Sequence, residues 1–201
     1  SFREGKALVI AGAGSGKTRV LVYRVAHLVS SGVEPEQILL LTFTRRAAKE
    51  MLHRATQVLD ERCGRVSGGT FHSFASTLLR RYSKHLGLNS NFSILDRTDS
   101  EDVVQLLRTE MGFDKSAKRF PRKKTIQQIL STCVNKQMEV EEVLGANYPH
   151  FLDFVGEIES LRERYSEYKL SLSLLDYDDL LVYFKLLLST EPTIRNEVSS
   201  R

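Results

Sequence analysis

The stretch Ala11-Gly12-Ala13-Gly14-Ser15-Gly16-Lys17-Thr18 sits between two apolar patterns of different period. Before it, Ala7-Leu8-Val9-Ile10-Ala11 is a short apolar run ending in glycines, which predicts a buried parallel strand. After it, Leu21, Val25, Leu28 and Val29 recur at helical spacing from Lys17 to Ser30, and Gly32 closes the segment. A strand, a glycine-rich loop ending in Gly-Lys-Thr and a helix make the context of a phosphate-binding loop, here with Ala11 at the first position of G-x-x-x-x-G-K-[ST]. Glycines let the backbone curl so that successive N–H groups face phosphate oxygens. The helix start adds further free donors and a partial positive charge. Lys17 supplies a point charge for the β- and γ-phosphates, and the Thr18 hydroxyl is a candidate Mg²⁺ ligand. The candidate nucleotide site is therefore Ala11, Gly12, Ala13, Gly14, Ser15, Gly16, Lys17, Thr18 and Arg19, with Lys17 and Thr18 closest to the chemistry and ATP with Mg²⁺ as the expected cofactors.

Outward from this loop, strand and helix patterns alternate through Leu88. Ile38 to Phe43 reads as a second buried strand, and Arg45 to about Leu59 as a helix rich in Ala, Met, Leu and charge. Arg65 to Gly69 is a weaker strand because of its glycines, and Phe71 to Leu86 is helical with Phe74, Leu78, Leu79 and Tyr82 on one stripe. This order predicts half of a doubly wound parallel sheet. From Asn89 the strand signals stop. Thr98-Asp99-Ser100-Glu101 has capping-box spacing, and helical stripes follow at Val104–Met111, Ile126–Val134, Phe151–Tyr168 and, after a cap at Asp176, Leu180–Leu188.

Composition narrows the class. An apolar fraction of 41% and a charged fraction of 27% exclude a wholly disordered chain. No run approaches the roughly 20 apolar residues of a membrane-spanning helix. Cys63 and Cys133 are the only cysteines, too few for a disulfide framework, so a reducing, cytoplasmic setting is expected. The net charge of +4 divides unevenly: 14 Lys and Arg against 6 Asp and Glu through Leu88, then 15 against 19. That split reads either as polyanion contacts concentrated in the first part or as chance scatter, so charge alone decides nothing.

Two further motifs discriminate among the many users of a phosphate loop. Thr42-Phe43-Thr44-Arg45-Arg46-Ala47-Ala48-Lys49-Glu50-Met51 follows the second strand, and Gly69-Thr70-Phe71-His72-Ser73-Phe74 opens a helix. With Asp176-Tyr177-Asp178-Asp179-Leu180-Leu181, these resemble in order and spacing the UvrD/Rep/PcrA family of superfamily 1 DNA helicases. The resemblance covers nearly the whole chain. It implies an α/β fold: a partial RecA-like P-loop parallel sheet with helices on both faces, over 1–88 and about 171–201, interrupted by a mainly α-helical inserted subdomain over 89–170. It implies single-stranded DNA and its junction with duplex as partners, 3′-to-5′ movement, and no membrane. In this family the second and third motifs line the single-stranded DNA track, which nominates Thr42, Phe43, Thr44, Arg45, Arg46, Thr70, Phe71, His72 and Ser73. Hydroxyls and free helix-start N–H groups suit phosphates, and exposed phenylalanines suit base stacking. Core packing is the competing role for Phe43, Phe71 and Phe74, and positioning of its loop the competing role for His72. The basic run Lys115–Lys124 reads either as a solvated loop or as a contact to duplex backbone. Asp176, Asp178 and Asp179 read as helix-start residues rather than as metal ligands.

The family's glutamine-bearing adenine motif is not found in Ser1–Lys6. Its Walker B carboxylates and its second motor domain are expected beyond Arg201. The 201 residues alone are thus expected to be hydrolytically inactive or nearly so. The motor of an AddA/RecB-type helicase–nuclease and a degenerate ATP- or DNA-binding module remain alternatives at this level.

Overall fold

The computed structural model describes residues 5–113 and 120–199, so the first half of the basic run at 115–124 lies outside the described residues. The chain is mostly helical with two small parallel sheets, in keeping with an α/β helicase domain. It divides into two compact units, 1–74 with 195–201, and 75–194. Among the described residues no helix is long and apolar enough to cross a membrane.

In the first unit, α1 spans Lys17–Ser30 and ends in a turn with Gly32 at φ 89°. β1 (Leu39–Thr42), α2 (Arg45–Val58), β2 (Ser67–Thr70) and α3 (Phe71–Tyr82) follow, the unit boundary falling inside α3. β1 and β2 pair in parallel, Leu39 opposite Ser67 through Thr42 opposite Thr70. Val22, Val25, Ala26 and Val29 of α1 form a core with Ile38, Leu40, Ala55, Cys63 and Val66. The buried stripe of α1 is thus rotated from the expected one, and Leu21 is exposed. β1 is covered on one face only, since Leu40 and Thr42 are buried while Leu39 is exposed.

The strand expected at 7–11 is not formed. Those residues run as irregular chain into the glycine loop, with Leu8 89% and Ile10 92% exposed. Parallel strands are held by ladder bonds to neighbours and by cover on both faces, and among the described residues no strand pairs with this run. The glycines that weakened the strand signal at 65–69 have a packing reason. A Cβ on Gly68 would lie 2.6 Å from Leu52 Cδ1, and one on Gly69 would lie 2.9 Å from Ser73 Oγ. Both glycines admit neighbours that a side chain would displace.

The second unit is a helical assembly of α4 (Arg97–Glu110), α5 (Lys123–Lys136), α6 (Val140–Asn147), α7 (Val155–Ser171) and α8 (Tyr177–Thr190), with α9 (Pro192–Ser199) beginning in it. Its core runs from Val104 and Leu107 through Ile126, Ile129, Leu130 and Cys133 to Val140, Val143 and Leu144, then Ile158, Leu161 and Tyr165. Phe120 packs edge-on against Phe154 at 5.2 Å between ring centres. The helices α4 and α8 carry reciprocal caps, Asp96 with Asp99 and Asp176 with Asp179. The first of these corrects the expected box at Thr98–Glu101, because the chain turns helical two residues earlier.

The second half is also not purely helical. β3 (Ser93–Ile94) pairs in parallel with β4 (Leu174–Leu175). A two-residue strand is too short to show a period, which hid it in the sequence.

A buried ion-pair cluster secures the turn from α7 into α8. Lys169, 5% exposed, donates from Nζ to Asp176 Oδ2 and Asp179 Oδ2, each at 2.6 Å. Tyr165 Oη donates to the same Asp176 oxygen at 3.0 Å. Burial would raise the Asp176 carboxyl, but the Lys169 charge and the hydrogen bonds around it hold it below the usual range. Burial keeps Asp179 above its ordinary value, so the pair shares one cation unequally. Removing one member of a buried pair strands the other charges. Lys169→Met is accordingly expected to destabilise the helical unit by about 3–5 kcal/mol, read as a lower urea midpoint. The stability held by Asp176 is present above its ordinary pKa of 3.8 and is lost as pH falls through the lowered folded value. Asp179 acts in the opposite sense, taking up its proton more readily in the folded chain. As pH falls, Asp179 should therefore be protonated first, and the contribution of Asp176 should be lost only below its ordinary 3.8, as followed by circular dichroism.

Candidate nucleotide and nucleic-acid site

The glycine loop is open on every side that a ligand needs. A Cβ at Gly12, Gly14 or Gly16 would meet nothing within 4 Å, and Gly14 and Gly16 hold φ of 77° and 85°. Those angles favour glycine. Ser15 Oγ donates to Gly12 O at 2.7 Å, closing the turn. Lys17 Nζ folds back over the loop and donates to Ala11 O at 3.0 Å and Gly12 O at 2.6 Å. Gly16 caps α1 in the left-handed conformation with no side-chain cap, and the first turn holds no acidic residue. The donors at that helix start are thus not occupied by a capping side chain and not opposed by local negative charge. Gly12 through Arg19 are exposed, and Ala11 is half-buried. This donor set fits a polyphosphate: the uncapped start of α1, the exposed Lys17 ammonium and the Thr18 hydroxyl in the first turn.

The other nominated residues collect at one end of the β1–β2 pair. Because the register is Thr42 opposite Thr70, both strands deliver their following loops side by side at their C-terminal ends. Open parallel sheets bind ligands at that edge. Thr42 Oγ1 donates to Thr44 O at 2.7 Å, and Thr44 Oγ1 accepts from Ala47 N at 3.1 Å as the N-cap of α2. Thr70 and Ser73 form a closed exchange: Ser73 Oγ accepts from Thr70 N at 2.9 Å and donates to Thr70 O at 2.9 Å, while Ser73 N donates to Thr70 Oγ1 at 3.1 Å. Much of the hydroxyl capacity read as phosphate-holding is therefore used to shape the two loops. The outward-facing groups are aromatic and cationic. Phe43 is 97% exposed and Phe71 51%, and Arg45 and Arg46 are exposed at the start of α2. Phe43 therefore does not pack in the core of this chain. His72 and Phe74 are half-buried. An open groove of about 600 Å³ runs along α2 past Arg45, Arg46, Lys49, Glu50 and His53.

The third motif lies elsewhere. Asp176 and Asp179 are consumed by the cap and by Lys169, and Asp178 accepts from Asn135 Nδ2 at 2.9 Å. Sequence reading did not anticipate Lys169, whose partners lie 7 and 10 residues on across a strand and a helix start, beyond any helical repeat.

The Gly69–Ser73 contact makes the loop at β2 sensitive to a single methyl group. Gly69→Ala forces Ser73 Oγ from its exchange with Thr70, and the expected cost is about 1–3 kcal/mol in chemical denaturation. Gly68→Ala meets only the flexible end of Leu52 and is expected to cost less.

The UvrD/REP helicase N-terminal domain family matches residues 1–201. The ATP-dependent DNA helicase PcrA of Bacillus subtilis (strain 168) is 36% identical over 184 residues, covering 89% of this chain and 24% of that protein. PcrA of Leuconostoc citreum is 36% identical over 181 residues, 89% of this chain and 23% of the relative. The ATP-dependent DNA helicase UvrD1 of Mycobacterium tuberculosis (strain ATCC 25618 / H37Rv) is 36% identical over 177 residues, 87% and 22%. The chain thus spans about a quarter of the length of these relatives. With a glycine loop that fits a polyphosphate, two loops at one sheet edge and a family match over its whole length, the chain belongs to the UvrD/REP helicase N-terminal domain family.

Proposed function

We propose that this chain is the nucleotide-binding and DNA-gripping part of an ATP-dependent helicase that moves 3′ to 5′ along single-stranded DNA. In this reading 1–88 and about 171–201 belong to a RecA-like P-loop motor domain and 89–170 to an inserted helical subdomain. The observation that carries it is the in-register end of β1 and β2, which sets Phe43, Arg45, Arg46 and Phe71 on one edge of a unit whose α1 opens with the phosphate loop. The pairing of Ser93–Ile94 with Leu174–Leu175 supports the insertion, since the helices between them leave and return at one place.

Bound at the loop, ATP with Mg²⁺ supplies the free energy of phosphoryl transfer. The residues of this chain bind and orient. Lys17, which donates to Ala11 O and Gly12 O, would hold the β- and γ-phosphates, the helix-start N–H groups would hold phosphate oxygens, and the Thr18 hydroxyl would ligate the metal. Phe43 and Phe71 stack on bases while Arg45 and Arg46 neutralise phosphates, a grip that reads no sequence. Turnover depends on charges positioned from more than one side, so we assign it to the longer protein, with a second motor domain in the same chain as partner.

In that longer protein Lys17→Ala is expected to abolish DNA-stimulated ATP hydrolysis while nucleotide-free DNA binding persists; unchanged hydrolysis would remove the phosphate-loop assignment. Phe43→Ala should weaken oligo(dT) binding by about 1–3 kcal/mol in fluorescence anisotropy. Arg45→Ala or Arg46→Ala should each lower the slope of log affinity against log salt by about 0.7, as expected for one lost phosphate contact to a single strand. Slopes identical to the unmodified protein would remove these arginines from the DNA track.

A further inference from the structure

The outer face of α2 breaks two rules that a solvated helix ordinarily keeps. It opens with Arg45 and Arg46, and its first turn holds no acidic residue. Cations at a helix start oppose the helix dipole, which favours negative charge there. Lys49 follows Arg45 at a spacing of four residues, a like-charge pair that weakens a helix. Three cations placed where folding disfavours them call for an anion from outside the chain.

The three side chains are available to one. Arg45, Arg46 and Lys49 are exposed, and none of them makes a side-chain hydrogen bond or ion pair among the described residues. Other arginines of the same unit are answered by carboxylates: Arg54 by Glu50, Arg62 by Asp60 and Arg65 by Glu36. Arg45, Arg46 and Lys49 line the open groove of about 600 Å³ along α2 together with Glu50 and His53. Glu50 is the carboxylate of that lining, and Arg54 already neutralises it from outside the groove. The groove therefore keeps an excess of positive charge. His53 lies at its far end, where its Nε2 accepts from Gln57 Nε2 at 3.1 Å.

Residues 45, 49 and 53 share one face of the helix. At a rise of about 1.5 Å per residue they span about 12 Å. That is the length of three to four nucleotides at the roughly 3.4 Å per nucleotide of a stacked strand. At the near end, two residues before Arg45, stands Phe43 with 97% of its surface exposed. A bare aromatic ring at the head of a cationic groove suits a single strand, whose bases are open to stacking and whose backbone follows the charge. We infer that the DNA strand, on leaving the Phe43–Phe71 edge, runs along this face of α2 with a phosphate on Lys49. The inference adds a third cationic contact and a further length of track, and it rests on the reading of this chain as part of a protein that binds single-stranded DNA.

The test uses the full-length protein with two probes of equal length, an oligo(dT) and a blunt duplex, and reads affinity by anisotropy across a salt series. On oligo(dT), Lys49→Ala should lower the slope of log affinity against log salt by about 0.7. The ratio of affinities between about 50 and 200 mM salt then falls about 2.6-fold. Lys49→Arg should restore the slope. Arg62→Ala changes the net charge equally, but at a residue already paired with Asp60, and should leave the slope as it is. A slope unmoved by Lys49→Ala, an equal fall with Arg62→Ala, or a fall confined to the duplex overturns the inference. Urea unfolding separates binding from folding. Lys49→Ala relieves the like-charge pair with Arg45, so its midpoint should match or exceed that of the unmodified protein, and a lower midpoint also overturns the inference. Failure of the unmodified protein to bind oligo(dT) at all would instead refute the DNA-binding reading beneath it.

Discussion

The parallel, in-register pairing of Leu39–Thr42 with Ser67–Thr70 is the constraint on which the first unit depends. Parallel ladders run both strands the same way, so both chains leave the sheet at one edge. Each exit is then converted directly into a helix start. Thr44 caps α2 at one, and the Thr70–Ser73 exchange opens α3 at the other. The glycines of β2 belong to the same constraint, because they let Leu52 of α2 and the Ser73 hydroxyl approach the strand. A bulkier strand would hold α2 further out and leave the second loop without its turn.

The second unit solves a different problem. Its helices bury a continuous apolar core, yet the chain must come back beside its point of departure, and β3 with β4 makes that return. The return is followed at once by a capped helix and a lysine sealed against two carboxylates. Such buried charges are costly to desolvate and add little net stability compared with apolar packing. In the arrangement of α7 and α8 that the chain adopts, Lys169 meets both carboxylates. The same arrangement fixes Asp176, Tyr177 and Asp178 at the start of α8.

Legibility followed the range of the interaction. Lys17–Ser30 and Arg45–Val58 were readable almost to the residue because amphipathic spacing and caps are local signals. The loop at 11–18 was readable for the same reason, its glycines and Lys17 lying in one contiguous run. The stripe of α1 was misjudged by a rotation, because which face is buried depends on what packs against it. Leu8–Ile10 has strand-like residues, but ladder partners rather than residue type make a strand. Phe43 carries no local sign of whether it lies in the core or in solvent; its exposure comes from where β1 ends.

By itself the sequence determined the glycine loop at 11–18, the order of strands and helices from Lys17 through Leu88, the largely helical character of the chain from Asn89 onward, and the family. All of these are written in spacings of a few residues, where backbone geometry acts directly on side-chain type. Only the tertiary structure decided that Thr42 and Thr70 stand side by side, that their hydroxyls are spent on loop shape while Phe43 faces outward, and that Lys169 finds two aspartates across a turn. These depend on strand register and on helix packing, which bring together groups that no local period relates.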